Sequence, residues 1–263
     1  MKKVFQLLFV SFLVVTFASC SNDNDSNTPM LLTRLNASVM GDSEQYNFSY
    51  NGTKLTRISY QIAIGTVTSG YLKIIYTGDL ITQIKDFNGD NINTDNTFLT
   101  YNADGRLIEV LKVEVGTNHA ERTVFNYNSD NTVDSQNYVG TESSQTTLSY
   151  SEKFYFQNNQ LVKKESNVVA LTEYNYDTAN HPMKNVTGID AIMIYANSFD
   201  SFLSLGLRGV SNNIIKETWY SDPSTVMEVM AFESTYNDEN FPVSIYTTPA
   251  SPGPYNYLYE YNN

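Results

Sequence analysis

Few side chains in this sequence have the types and spacing that catalysis requires. There are two histidines, His119 and His181, and each lies in or beside a predicted turn. A Ser–His–Asp triad or a histidine metal site needs such a residue to be held next to its partners by the fold. The sequence contains no His-x-x-x-His, no Gly-x-Ser-x-Gly and no glycine-rich phosphate loop. We therefore predict exposed loop histidines, no catalytic residues and no cofactor, and we interpret the protein as non-enzymatic.

Oxygen-bearing side chains recur at alternate positions from Asp86 through Asn88 to Asp90, as they do in calcium-binding loops. Gly89, however, comes too early for an EF-hand loop, and Thr97 stands where such a loop has its bidentate Glu. We interpret the segment as an Asn/Asp turn and predict no metal site, with calcium as the minor alternative. Among the 28 acidic residues, no carboxylate pair is singled out for glycoside hydrolysis.

The 20 tyrosines allow two interpretations. A tyrosine has a flat apolar ring and a polar tip, which suits stacking on sugars or lining a cavity for an amphipathic ligand. Most of the aromatic residues, however, occupy the same place in a repeat, and we interpret these as ladders that join neighbouring strands. Four aromatic residues break the pattern and are the candidates for an exposed stacking surface: Trp219, Tyr220, Tyr255 and Tyr257.

The N-terminal residues form an export signal. Two lysines precede a mainly apolar stretch from Val4 to Phe17, which is too short for a comfortable membrane span. The sequence Phe17-Ala-Ser-Cys20 resembles the bacterial lipobox, in which the cysteine is diacylated and becomes the first residue of the mature protein. Because the only cysteine of the chain stands at this position, we predict a signal peptide over residues 1–19 and lipidation at Cys20. Ordinary signal cleavage beside an incidental cysteine is the alternative.

The predicted organisation is simple. Residues 20–30 contain the lipidated cysteine and a polar tether, and residues 31–263 form a single β-repeat domain. The formal net charge of −12 repels nucleic-acid phosphates and anionic lipid headgroups, so we predict no nucleic-acid partner and membrane contact only through the acyl chains. The protein is predicted to be exported and lipid-anchored to the outer membrane, at its periplasmic face or at the cell surface. The oligomeric state is left open.

A pattern recurs about every 25 residues along the domain. In the clearest copy, Leu99 and Tyr101 are two positions apart in a strand. An Asn-x-Asp-Gly turn follows them, and a new apolar run begins at Leu107. Side chains at i and i+2 share one face of a strand, and Asn-Gly or Asp-Gly steps reverse the chain in a hairpin. The anchors of the repeat are Tyr50, Tyr76, Tyr101, Tyr127, Phe156, Tyr176, Tyr236 and Tyr261.

These units predict an all-β protein, a large antiparallel meander of about 14–16 strands. So many strands curl into a barrel-like or open-barrel sheet, with a folded-over sandwich as the alternative. Wall side chains alone do not fill a barrel of this width, so another segment or water must occupy it. The longest interval between anchors, from Tyr176 to Tyr236, supplies one short helical insertion. We predict this helix over Ser198–Leu205, as a core plug rather than a lid.

The copy Tyr101-Asn-Ala-Asp-Gly-Arg-Leu107 is similar to the YD repeats of RHS-type shell proteins, which build long β-hairpin meanders. The chain as a whole resembles a family of Bacteroidetes lipoproteins of unknown function described as porin-like in fold. The shared features are the lipobox, the spaced Tyr-Asn-x-x-Gly-x-Leu turns and a helix-bearing insertion that ends in Ser211-Asn-Asn213. The resemblance implies a porin-like β-barrel in the cell envelope, and it brings no catalytic residues.

The chain departs from the repeat pattern at three places. Asn131 and Asn180 stand where glycine is expected, and Ser234 replaces the first aromatic residue of its copy.

The function that we predict is that of a non-enzymatic binding or scaffold module of the envelope, with a glycan as the first candidate partner. The alternative is a carrier that holds a lipid or another small apolar ligand inside the barrel. The repeated tyrosines separate the two, because interlocked tyrosines support a scaffold and tyrosines around a roomy cavity favour a carrier. A water-filled porin would need apolar residues outward and polar residues inward, an arrangement that the sequence leaves open.

Overall fold

The computed structural model describes residues 28–168, 171–197, 207, 209, 211–248 and 253–262. Sixteen strands form one antiparallel sheet, and the pairing of the first strand with the last closes it into a barrel. This architecture confirms the predicted fold class. The strands are β1 (Leu32–Val39), β2 (Asp42–Asn51), β3 (Lys54–Ile64), β4 (Thr66–Thr77), β5 (Leu80–Asn88), β6 (Asn93–Tyr101), β7 (Leu107–Glu114), β8 (His119–Tyr127), β9 (Thr132–Thr141), β10 (Ser144–Gln157), β11 (Gln160–Ser166), β12 (Leu171–Tyr176), β13 (Ile214–Asp222), β14 (Thr225–Tyr236), β15 (Pro242–Thr248) and β16 (Asn256–Tyr261).

Neighbours in the chain are neighbours in the sheet, so the connections alternate between the two ends of the barrel. We call the end with the β1–β2, β3–β4 and later odd-to-even connections the mouth. The opposite end, with the β2–β3, β4–β5 and later even-to-odd connections, is the floor. The chain enters and leaves the barrel at the floor, where the Leu31 N–H donates to the side chain of Asn262. Residues 177–213, between β12 and β13, also begin and end at the floor, and we call them the insertion.

The strands form because their side chains alternate between an apolar and a polar face. On β2, Tyr46 and Phe48 pack in or against the core, whereas Asn47 and Ser49 lie on the other face. The apolar face is the inner one, because the same core cluster contains residues of the wall and of the insertion. The inner face of the barrel is therefore the more apolar of the two.

Hairpins at the floor reverse the chain through residues with positive φ. Gly52, Gly78 and Gly105 have φ values of 59°, 58° and 76°. Asn131 takes the same conformation, with φ of 62°, because asparagine tolerates the left-handed region better than most residues. The β8–β9 hairpin therefore forms although position 131 is asparagine instead of glycine. At Asn180 no hairpin forms, because the chain enters the insertion there.

Five of the seven tyrosine anchors form a ladder around the floor half of the barrel, whereas Tyr76 donates to the insertion and Tyr236 to Asp177. The rings of the ladder pack against the core, and their hydroxyls donate to backbone carbonyls of an earlier strand at 2.6–3.0 Å. Burial raises the pKa of these hydroxyls above the ordinary tyrosine value, so they stay protonated donors. The ladder joins strands rather than lining a cavity. The donor–acceptor pairs are Tyr50–Leu32, Tyr101–Ile81, Tyr127–Leu107, Tyr176–Leu161 and Tyr261–Pro242.

Replacing Tyr101 by Phe is expected to lower the free energy of unfolding by about 1 kcal/mol, because the Ile81 carbonyl loses its donor in a part-buried place. The matched control is Tyr220→Phe, whose hydroxyl donates to Glu173 on the exposed outer wall. This control is expected to change stability by less than about 0.5 kcal/mol. Urea unfolding followed by circular dichroism measures both variants, and equal losses would contradict the ladder.

The insertion packs apolar side chains into the barrel from the floor. It contains a 3-10 turn, Asp190–Ile192, followed by the one-turn helix α1, Met193–Ala196. All four residues of α1 are buried in the core cluster. The prediction of one short helical insertion is confirmed, whereas the range predicted for it, Ser198–Leu205, lies outside the described residues. Across the described ranges, no helix is long and apolar enough to cross a membrane.

Candidate functional site

A cavity of about 460 Å³ lies inside the mouth half of the barrel, against β1–β5. Leu207 of the insertion contributes to its lining, so the insertion limits the cavity on the side of the floor. Small-molecule sites in proteins are concave, mostly apolar and carry few polar groups, as this cavity does. Its apolar wall is formed by Leu35, Phe48, Ile58, Ile62 and Leu72.

Among the described residues that line this cavity, Asp86 is the one with a carboxylate. Asp86 of β5 accepts a hydrogen bond of 3.1 Å from the hydroxyl of Tyr60 on β3. The Tyr60 ring reaches Asp86 by crossing β4 at Gly70, its partner in the β3–β4 register. A Cβ on Gly70 would lie 2.6 Å from Cζ of that ring. The glycine therefore makes room for the hydrogen bond, which is the close approach that an isolated glycine in a strand often marks.

The electrostatics of the cavity centre on Asp86. Burial raises the pKa of its carboxyl above the ordinary value, the hydrogen bond from Tyr60 opposes this rise, and the neighbouring carboxylate of Asp95 adds to it. Lys112 lies 3.7 Å from Asp95 and pairs with that residue. Burial and Asp86 together raise the pKa of Tyr60 to about 12, so its hydroxyl remains a donor. No Lys, Arg or His is among the described residues that line the cavity, so its polar end favours a head group that donates hydrogen bonds.

The four aromatic residues predicted to form an exposed stacking surface lie on different faces. Tyr220 is on the exposed outer wall. Trp219, its neighbour in the strand, is half-buried, and its Nε1–H donates to the Glu217 carboxylate at 3.1 Å. Tyr257 is buried in the core and stacks on Tyr255 with ring centroids 5.8 Å apart. The structure thus brings Tyr255 and Tyr257 together, but the four residues do not form one platform.

The prediction of two exposed loop histidines is wrong for His181. Its side chain is 2% exposed, because the chain turns into the barrel at this point instead of forming a hairpin. Nδ1 accepts the Met183 N–H at 3.2 Å, and Nε2 lies 3.3 Å from the Leu207 carbonyl, to which it donates in that tautomer. His119 is half-exposed at the mouth, 3.5 Å from Glu121. The contacts of both histidines are with the protein's own backbone and with one neighbouring carboxylate.

The segment from Asp86 to Asp95 forms the β5–β6 hairpin at the mouth. The side-chain oxygen of Asn88 accepts the N–H groups of Asp90 and Ile92, which makes an Asx turn of the kind the sequence predicted. Asp86 faces the barrel instead of the turn. Among the residues that the structure describes, no group of three or more His, Cys, Asp or Glu side chains is placed to hold a metal ion.

A buried ion pair in the wall was missed by the sequence analysis. Glu152 of β10 is 4% exposed and lies 3.1 Å from the ammonium of Lys164 on β11. Lys164 also donates to the carbonyl of Asn197 after α1, so the pair ties the wall to the insertion. The sequence held one signal, since Glu152 falls between Tyr150 and Phe154 on the apolar face of its strand.

The outer face of the wall carries charged and polar side chains, together with scattered half-exposed apolar ones such as Phe98, Leu148 and Leu258. Opposite charges meet there between partly exposed side chains, as in Arg122–Glu109 at 2.7 Å and Arg34–Glu260 at 3.2 Å. Membrane-spanning barrels instead have a continuous apolar band on this face.

The mouth, in contrast, exposes apolar side chains. Every large apolar side chain in the described ranges that is more than half exposed lies on a mouth hairpin. The entrance to the cavity is therefore surrounded by apolar groups. They are Met40, Ile64, Val67, Ile92, Val168, Val226 and Met227.

Two solved structures are similar to this barrel. One is a porin-like protein from Bacteroides vulgatus ATCC 8482, 16% identical in sequence, which matches over 89% of this chain and 99% of its own with a TM-score of 0.55. The other is a porin-like protein from Bacteroides uniformis ATCC 8492, 8% identical, which matches over 88% of this chain and 98% of its own with a TM-score of 0.58. The chain has a porin-like fold. At these identities the likeness concerns the fold alone.

No protein-family model matches the chain, and no curated protein matches its sequence. The porin-like fold implied by the sequence resemblance is confirmed by the structural neighbours. The signal peptide and the lipidation of Cys20 stay predictions, because residues 1–27 lie outside the described ranges.

Proposed function

We propose that this protein is an exported, lipid-anchored envelope protein whose barrel binds a small amphipathic ligand in its mouth. The observation that carries the proposal is the cavity of about 460 Å³, whose described lining residues form an apolar wall and include the carboxylate of Asp86. The wall favours a hydrocarbon or ring body, which it removes from water. Asp86 and Tyr60 favour a head group that donates hydrogen bonds, above all an ammonium, because an opposite charge stabilises a part-buried carboxylate.

The surroundings of the cavity support an amphipathic ligand. The apolar side chains of the mouth hairpins offer hydrocarbon a contact before it enters. The opposite end is occupied, because Asn185 of the insertion donates to the Met30 carbonyl where the chain enters the barrel. With a lipid on Cys20, the chain would therefore be anchored from the floor side, and the mouth would be the free end.

The other interpretations have less support. The repeated tyrosines interlock, which agrees with a structural role for them, and they leave the cavity to other residues. The ion pairs on the outer wall favour contact with water over contact with hydrocarbon, and they support attachment through acyl chains. The cavity therefore moves the proposal from the glycan-binding scaffold to the alternative, a non-enzymatic carrier that holds a small amphipathic ligand inside the barrel.

Native mass spectrometry of the purified protein tests the proposal. Protein taken from its own envelope is expected to show extra mass that is lost on denaturation, and empty protein is expected to bind added n-octylammonium. Ile62→Trp, which places an indole in the cavity, is expected to abolish both signals. The control is Val229→Trp, which adds the same ring at an exposed position on β14. A clean native mass together with no uptake of n-octylammonium would overturn the proposal.

A further inference from the structure

A row of three cations crosses the outer wall on β3, β4 and β5. Arg57 is directly opposite Lys73 in the register, and Lys73 is directly opposite Lys85. Neighbouring strands lie about 4.8 Å apart, so the Cα atoms of the row have roughly that spacing. Within the described ranges, none of the three forms an ion pair with an acidic residue.

The row is unfavourable for the fold. Like charges directly opposite one another destabilise a sheet, and elsewhere on this wall cations face acids, as Lys153 faces Asp134. The acidic residues of β2–β6 could have neutralised the row, but the register places them on the inner face. A chain of net charge −12 thus keeps three adjacent positive charges uncompensated. The acids concerned are Asp42, Glu44, Asp86 and Asp95.

Aromatic side chains lie beside the row and position its arginine. Tyr71 and Phe87, one row nearer the mouth, stack with ring centroids 4.7 Å apart and an interplanar angle of 9°. The guanidinium of Arg57 lies on the other side of this stack, 3.6 Å from the Tyr71 centroid. Ser49 and Asn96 extend the register of the row on either side and add uncharged polar groups. The result is a flat strip of cations with polar ends.

We propose that this strip, Arg57, Lys73 and Lys85 with their flanking polar residues, binds a linear acidic polysaccharide. The charges lie in a line, whereas a single phosphate would require donors that converge on one point. A polyuronate carries a carboxylate on each successive sugar, which matches a line of separate cations. A lipid surface fits less well, because the apolar side chains that are more than half exposed are at the mouth, and beside the strip Phe98 is only 42% exposed. The strip is on the outer wall, so the proposal does not depend on the cavity.

Affinity electrophoresis of the full protein in gels that contain polygalacturonate tests the proposal. We expect retarded migration that weakens as salt is added, because exposed charges are screened. Lys73→Gln and Lys85→Gln are each expected to weaken binding about fivefold, and the double variant about 25-fold, at roughly 1 kcal/mol for each contact. The matched control is Lys216→Gln, which removes the same charge from an exposed position on β13 and is expected to leave binding unchanged.

The stability of the variants is a second readout. Lys73→Gln removes a like-charge neighbour from two other cations, so its urea midpoint is expected to stay the same or to rise. Lost binding in a variant of normal stability then reports on the strip and not on unfolding. Three outcomes would overturn the proposal: no retardation by polygalacturonate, equal losses in Lys216→Gln, or tighter binding to phosphatidylglycerol vesicles than to polygalacturonate.

Discussion

Replacing Lys164 by Met is expected to lower the free energy of unfolding by about 3–5 kcal/mol, the cost of removing this cation from beside a buried carboxylate. The Glu152 side chain is 1% exposed and the Lys164 side chain is 14% exposed, so water compensates little. Methionine keeps most of the length and flexibility of lysine, and the change therefore removes the charge more than the packing. Urea unfolding followed by near-ultraviolet circular dichroism measures the loss.

Two further variants make this result specific. Lys153→Met removes an outward cation that lies 4.0 Å from Asp134 between partly exposed side chains, and it is expected to cost less than about 1 kcal/mol. The double variant Glu152→Leu with Lys164→Met removes both buried charges and is expected to recover most of the loss. Equal losses in the two lysine variants, or a double variant as unstable as Lys164→Met, would show that the Glu152–Lys164 ion pair does not determine the loss of stability.

Replacing Gly188 by Ala is expected to cost about 3 kcal/mol or more and to separate the insertion from the wall. Gly188 has φ of 75°, and a Cβ there would overlap the backbone carbonyl of Asp79 in the β4–β5 turn. Two backbones would have to move apart. The neighbouring contacts would move with them, namely the hydrogen bond between Thr187 and Thr53 and that from Tyr76 to the Thr187 carbonyl. Urea unfolding and amide hydrogen exchange of the insertion are the measurements.

Gly78→Ala is the matched control for this substitution. Gly78 has φ of 58°, but a Cβ there would have no atom within 4 Å, so only the backbone conformation opposes alanine. We expect a loss of about 1 kcal/mol from that cause. The difference between the two variants isolates the steric contact with Asp79. If the losses are equal, glycine is needed at position 188 for its positive φ and not for the close contact between the insertion and the Asp79 carbonyl.

The barrel could be predicted from the sequence because its determinants are local. Alternation with a period of two identifies the strands, and Asn or Gly at a positive φ identifies the turns. Asn131 shows how local this information is, because the turn forms there without glycine. The opposite directions of Trp219 and Tyr220 also follow from alternation, so their separation was within reach of the sequence.

The cavity and the interior contacts could not be predicted in this way. The hydrogen bond from Tyr60 to Asp86 depends on the register of three strands and on the missing side chain of Gly70 between them. The burial of His181 depends on the path of the insertion, which no periodic pattern describes. Such contacts form between residues that are far apart in the chain, and the conformational preferences of single residues carry no information about them.

The pairing of β1 with β16 also decides how other molecules can recognise this protein. A strand at the edge of an open sheet offers unpaired N–H and C=O groups, to which another chain can add itself as a further strand. All sixteen described strands have a neighbour on both sides, so none of them offers such an edge. Recognition of the folded barrel through main-chain hydrogen bonding along a strand is therefore ruled out for this part of the chain. A partner must instead bind side chains, on the outer wall, at the mouth or inside the barrel.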